Sequence, residues 1–133
     1  MPVATVSDQC VDTEISGPAG ANRLYLCTGT ASINTSASGG SKTETWTFLV
    51  GPHLGSGQFR RAVATASIAG WIVQAPPNGS GPYEVTVLSV EADWDDESGR
   101  TEARVEIQAS SHAPDTAVIV TRLSFSVSIV LAV

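Results

Sequence analysis

The sequence predicts an all-β protein, an antiparallel β-sandwich of about seven strands, and three observations carry that expectation. From Ala117 to Val133 every odd position holds an apolar or β-branched side chain, a period of two that only a strand has. The apolar residues are mainly Val, Ala and Ile, with Ser and Thr as their commonest polar partners, a mixture suited to a pleated surface. Alternating stretches are separated by Gly- and Pro-rich turns, and no helical period of useful length interrupts them. A chain of 133 residues, 42% hydrophobic, suits a single domain over 1–133, because at this length roughly two thirds of the unfolded surface can be buried in one core.

Residues 10–15 read as a short first strand ended by Gly17, Pro18 and Gly20. Leu24–Ile33 is the second, with Leu24, Leu26, Thr28, Thr30 and Ser32 on one face and Tyr25, Cys27 and Ile33 on the other. The Ser- and Gly-rich stretch 34–41 reads as a mobile loop. Thr43–Val50 places Trp46, Phe48 and Val50 on one face before Gly51, Pro52, Gly55 and Gly57 end it. In 60–73 Ala62, Ala64, Ala66, Ile68, Gly70 and Ile72 share the even face, and small residues at this regular spacing imply close approach of another sheet.

A loop over 76–82 follows, rich in Pro and Gly. Tyr83–Trp94 begins with Tyr83, Val85 and Val87 on one face, yet Leu88, Val90, Ala92 and Trp94 take the other parity, so a β-bulge is expected near Val87. Asp95–Arg100 is a hairpin connection in which Gly99 can supply a positive φ, and Thr101–Ala109 points Ala103, Val105, Ile107 and Ala109 inward. Consecutive antiparallel strands over 60–133 bring the loops at 51–58 and 95–99 to one end and those at 74–82 and 112–116 to the other. The last strand would exceed roughly 50 Å at about 3.3 Å per residue, so a bend or change of sheet is expected near Thr121 and Arg122. Its face of Ser124, Ser126, Ser128, Val130 and Ala132 is expected to be covered, by the N-terminal segment or by another copy.

The net charge of −6, with Lys42 the only lysine and only Arg60 and Arg61 adjacent, excludes nucleic acid and anionic membranes as expected partners. A neutral ligand or a protein surface suits this balance. No stretch of about eighteen apolar residues is present to span a bilayer as a helix. Met1 is followed by neither a basic nor a long apolar segment, so the expected location is cytoplasmic, or outside by a non-classical route or within an assembly. On that reading Cys10 and Cys27 are expected as two buried thiols, although a disulfide between them would contribute about 3 kcal/mol.

The densest chemical feature is the run Asp93, Trp94, Asp95, Asp96, Glu97. Calcium needs several converging oxygens, but the spacing lacks the Gly and Glu of an EF-hand loop, so a solvated turn is the expectation and no cofactor or metal is expected. Two carboxylates could hydrolyse a glycoside only across a cleft, and Glu91 with Arg104 is more simply a cross-strand pair. His53 and His112 are too few for a three-histidine metal site, and Gly55-Ser56-Gly57 lacks the setting of a nucleophile elbow. The chain is therefore expected to have no catalytic residues. Loop-edge aromatics can stack on a sugar while Asp and Arg bind its hydroxyls. The candidate ligand-binding set is Trp94, Asp95, Asp96, Arg100 and His53, with Trp71 expected as a core anchor.

From Thr45 onward the order of features resembles the H-type lectin domain. The resemblance is carried by a strand with Trp46 and Phe48, a Gly-rich turn reaching Phe59, the core strand Val63–Gly70, a Tyr-started strand, a hairpin and a terminal strand. It spans 45–133 and implies a trimeric or hexameric carbohydrate-binding agglutinin without catalysis. The leading 44 residues lie outside it, as an extension that adds strands to one sheet. The functional expectation is a non-enzymatic, lectin-like module binding a glycan or other neutral surface. The alternative is a self-assembling structural subunit of a fibre, shell or phage-type tail, whose poorly defended strand edges pair between copies.

Overall fold

A computed structural model describes residues 1–17, 20–76 and 82–132, and among them lie seven strands and no helix. They are β1 (Thr5–Gly17), β2 (Gly20–Ser38), β3 (Gly40–Val50), β4 (Phe59–Gln74), β5 (Tyr83–Asp95), β6 (Arg100–Ser111) and β7 (Ala117–Ala132). Every pairing between them is antiparallel. A four-stranded sheet in the order β1-β2-β7-β4 packs on a three-stranded sheet in the order β3-β6-β5, which is the expected sandwich.

Period-two patterning decides which face each strand buries. β7 turns Leu123, Phe125, Val127, Ile129 and Leu131 inward, and β6 answers with Ala103, Val105, Ile107 and Ala109, each at most 1% exposed. Trp46, Phe48 and Val50 complete the opposite wall from β3, and Tyr25, Cys27, Ala31 and Ile33 line β2. Ala62, Ala64, Ala66 and Ile68 of β4 pack against this core as expected, whereas Ile72, beyond the irregularity at Gly70, is 50% exposed, and Gly99 holds φ +71° in the β5–β6 hairpin. β5 changes register between Val87 and Ser89, which carries its buried positions from Val85 and Val87 to Val90 and Ala92.

Several expectations are corrected. The first strand is 13 residues long, not six, and the stretch read as a loop at 34–41 is mostly strand. Small residues misled: Ile33, Thr35 and Ala37 continue the inward alternation, and all three are buried. Thr35 Oγ1 accepts from the Trp46 indole N–H at 2.8 Å and donates to Glu44 Oε1 at 2.6 Å, tying β2 to β3. Gly39, at φ +65°, makes the change of sheet between them. Trp71 is no core anchor, being 46% exposed at the far end of β4. The turn at Pro18 and most of the 76–82 loop lie outside the described residues.

The long last strand does not change sheets, because β7 stays between β2 and β4 along its whole length. Its irregularity falls where expected. β2 carries an extra residue between Ser32 and Thr35, β4 is disturbed around Gly70, and the buried parity of β7 switches from Val120 to Leu123 across Thr121 and Arg122. The face of Ser124, Ser126 and Ser128 is not covered by the N-terminal segment: β1 lies beside β2 in the plane of the sheet. Before joining that sheet, the chain straps the other one. Thr47 N donates to Pro2 O at 3.0 Å and Ala4 N to Thr47 O at 2.9 Å, a parallel bridge at the edge of β3.

The cysteines are a second correction, since Cys10 and Cys27 form a disulfide and are not two buried thiols. They are direct cross-strand partners with Cα atoms 4.1 Å apart, so pairing of β1 with β2 alone brings them together. Cys27 is fully buried while Cys10 is exposed, because the three-stranded sheet has no strand opposite this part of β1.

Two outcomes follow from this architecture. Reducing the disulfide, or replacing Cys10 by Ser, is expected to cost about 3 kcal/mol in urea unfolding, given the 17-residue separation, with hydrogen exchange rising first in β1. Thr35→Val, which strips the buried indole N–H of its acceptor, is expected to cost about 1–3 kcal/mol by the same measurement.

Candidate functional site

The loop joining β3 to β4 and the β5–β6 hairpin meet at one end of the sandwich, as the strand order requires. Leu54 N donates to Gly99 O at 2.7 Å, and this single backbone bond fixes the two loops together. At the opposite end His112 N donates to Pro82 O at 3.2 Å. His53 reaches the acidic hairpin, its Nδ1 lying 3.1 Å from Ser98 O. Trp94, on the inward parity of β5, donates its indole N–H to Leu54 O at 3.1 Å, and Arg100 Nε donates to Gly51 O at 3.0 Å.

Four of the five candidate residues are therefore brought together and bonded to main chain. Trp94 and Arg100 clamp the β3–β4 loop, His53 meets the hairpin, and Asp95 builds the hairpin itself. Asp95 Oδ2 accepts from Ser98 N at 3.0 Å and Asp95 O from Gly99 N at 2.8 Å, while Ser98 Oγ accepts from Arg100 N at 3.2 Å. Asp96 stands apart, exposed at the hairpin tip beside Glu97. The contact that makes this latch work, the carbonyl of the buried Leu54, is not visible in a sequence reading of charges and aromatics.

Beside the latch, the outer face of the three-stranded sheet holds a shallow depression of about 230 Å³ lined by Glu91, Asp93, Asp95, Glu102 and Arg104. Glu91 and Arg104 are cross-strand partners as expected, but at 3.9 Å their contact is looser than that of Arg104 Nε with Glu102 at 2.8 Å. Hydrogen bonding to Glu102 and its charge raise the Arg104 pKa. With four carboxylates against one guanidinium, the depression is anionic. No group of three or more metal-ligating side chains converges among the described residues.

The outer face of the four-stranded sheet differs in kind. The register aligns Ser7, Thr30, Ser124 and Ser67 in one row across the sheet, and Gln9, Thr28, Ser126 and Thr65 in the next. A third row runs Val11, Leu26, Ser128 and Val63. A broad trough of about 560 Å³ lies over Thr28, Thr30, Thr65, Ser67, Ser124 and Ser126, and no ionisable side chain lines it. The alternating hydroxyls of 28–30 and 124–128 were the available signal for this surface.

The Asp95 carboxyl is held below the ordinary aspartate value, chiefly by the Ser98 hydroxyl and then by the Ser98 backbone N–H. A carboxyl depressed on folding stabilises the fold above its unfolded pKa, and that contribution disappears as pH falls through the lower folded value. The melting temperature of Asp95→Asn is thus expected to fall below wild type above a pH of about 4 and to converge with it in stronger acid, read from thermal unfolding between pH 2 and 7.

Compared with protein-family models, with characterised proteins and with solved structures, the chain matches none of them.

Proposed function

We propose that the protein is a non-enzymatic structural module that works by associating with its own copies through the four-stranded sheet. The observation that carries this reading is where the free surface lies. Four of the five candidate ligand-binding residues, all but Asp96, are bonded to neighbouring main chain. Val11, Ile15, Leu26 and Val63 are instead 40–65% exposed on the four-stranded sheet, on one outer surface. Exposed large apolar side chains gathered on one surface are the usual mark of an association site. Light scattering on a size-exclusion column, run over a hundredfold range of concentration, is expected to give masses well above 13.8 kDa. A strictly monomeric protein throughout that range would overturn the reading.

The uncharged trough supports a second reading, binding of a glycan or another neutral polyhydroxyl surface by a lectin-like module. Thr and Ser hydroxyls both donate and accept, which suits sugar hydroxyls, and no charge has to be desolvated. This places the ligand on Thr28, Thr65 and Ser126 instead of Trp94 and Asp96. On a glycan array, Thr65→Arg with Thr28→Arg is expected to abolish any binding, while Asp96→Ala leaves it unchanged.

A further inference from the structure

We infer that copies of this chain join head to tail, the β1 edge of one pairing with the β4 edge of the next, so that the four-stranded sheet continues from copy to copy as an open filament. The inference rests on the self-association reading and names the surfaces and the partner.

Four observations carry it. First, β1 and β4 are the two edges of one sheet, and neither has a hydrogen-bonded strand on its far side among the described residues. Such edges offer rows of unpaired N–H and C=O groups to another strand, and neither 5–17 nor 59–74 contains the Pro or Lys that usually blocks this.

Second, the directions fit. β1 is antiparallel to β2, β2 to β7 and β7 to β4, so β1 and β4 run in opposite senses. A copy displaced across the sheet without being turned over therefore presents its β1 antiparallel to β4 of the copy before it.

Third, the two edges carry charge of opposite sign at the same end of the sheet. The only charged residues of β1 are Asp8, Asp12 and Glu14, and the only charged residues of β4 are Arg60 and Arg61. Register places them at one level: Thr13, Leu24, Val130 and Arg61 form a row across the sheet, and Glu14 lies level with Phe59. At unchanged level the next copy's Thr13 stands opposite Arg61, with Asp12 and Glu14 next to it on the inward-facing side of the seam, where Asp12 also pairs with its own Arg23 at 2.7 Å, and Val11 meets Val63 on the outer face, 65% and 51% exposed respectively. Pairing β1 with β1 of another copy about its midpoint, Val11, would instead set Asp8 against Glu14, a like-charge contact.

Fourth, the twist decides between ring and filament. Adjacent strands rotate by roughly 20–25° about an axis running across the sheet, which is the same direction in which copies are added. Translation along the rotation axis gives a screw, so the heterologous contact propagates without closing.

A charge-swap experiment tests this. Arg60→Glu with Arg61→Glu makes both edges acidic, and Asp12→Lys with Glu14→Lys makes both basic. Each double variant alone is expected to elute at the monomer mass, while an equimolar mixture regains wild-type assembly, seen by light scattering and as filaments by negative-stain electron microscopy. Recovery on mixing also proves that both variants are folded. If either variant assembles like wild type, or the mixture stays monomeric while wild type assembles, the edge pairing is wrong and the self-association reading survives. If wild type itself is monomeric at every concentration, both fall.

Discussion

The tilted contact of the Phe48 and Phe125 rings, with centroids 4.7 Å apart, joins the two sheets. Phe125 stands in the middle of the inward row of β7, the strand with neighbours on both sides in the four-stranded sheet. Phe48 sits on β3 at the edge of the other sheet, one strand from the buried row of β6. Aromatic pairs of this kind bury large apolar areas and resist sliding, so the contact sets how the sheets face one another. The remaining core positions alternate outward from it along each strand.

The unequal width of the two layers shapes what is left over. Four strands cover three, and β4 packs over β5, so the uncovered strand is β1. The disulfide holds that strand to β2 where no opposing layer can, which explains why a bond joining an exposed sulfur to a buried one is found there. The exposed residues of β1 on both faces follow from the same cause. An overhanging edge with its backbone unsatisfied on one side is stable as drawn only because water, or another strand, takes the free groups.

Function separates along similar lines. The loop end is held by bonds from side chain to main chain, a pattern that positions loops and leaves few groups for a ligand. Sheet surfaces carry the contrast: one outer face is anionic around Arg104, the other is uncharged across its trough, with Arg61 and Arg122 outside it, and dotted with exposed Val and Leu. Acidic β1 and basic β4 are separated in the sequence by β2 and β3, yet they are the two edges of one sheet.

Much of the fold was legible in the amino-acid order. Alternation in β3, β6 and β7 named most of their core residues, the parity change in β5 announced its bulge, and strand direction alone brought the 51–58 loop to the same end as the 95–99 hairpin. What alternation could not show is the length of β1 and β2, because Ser, Thr and Gly serve equally in loops and in strands, and only burial of Thr35 against Trp46 distinguishes them. Nor could it show that Cys10 faces Cys27, since that depends on hairpin register. The roles of Trp94 and Arg100 were decided by tertiary structure, for their partners are backbone carbonyls of a loop some forty to fifty residues away. A sequence displays side chains, whereas carbonyls are the same at every position, and only folding determines which of them a donor will meet.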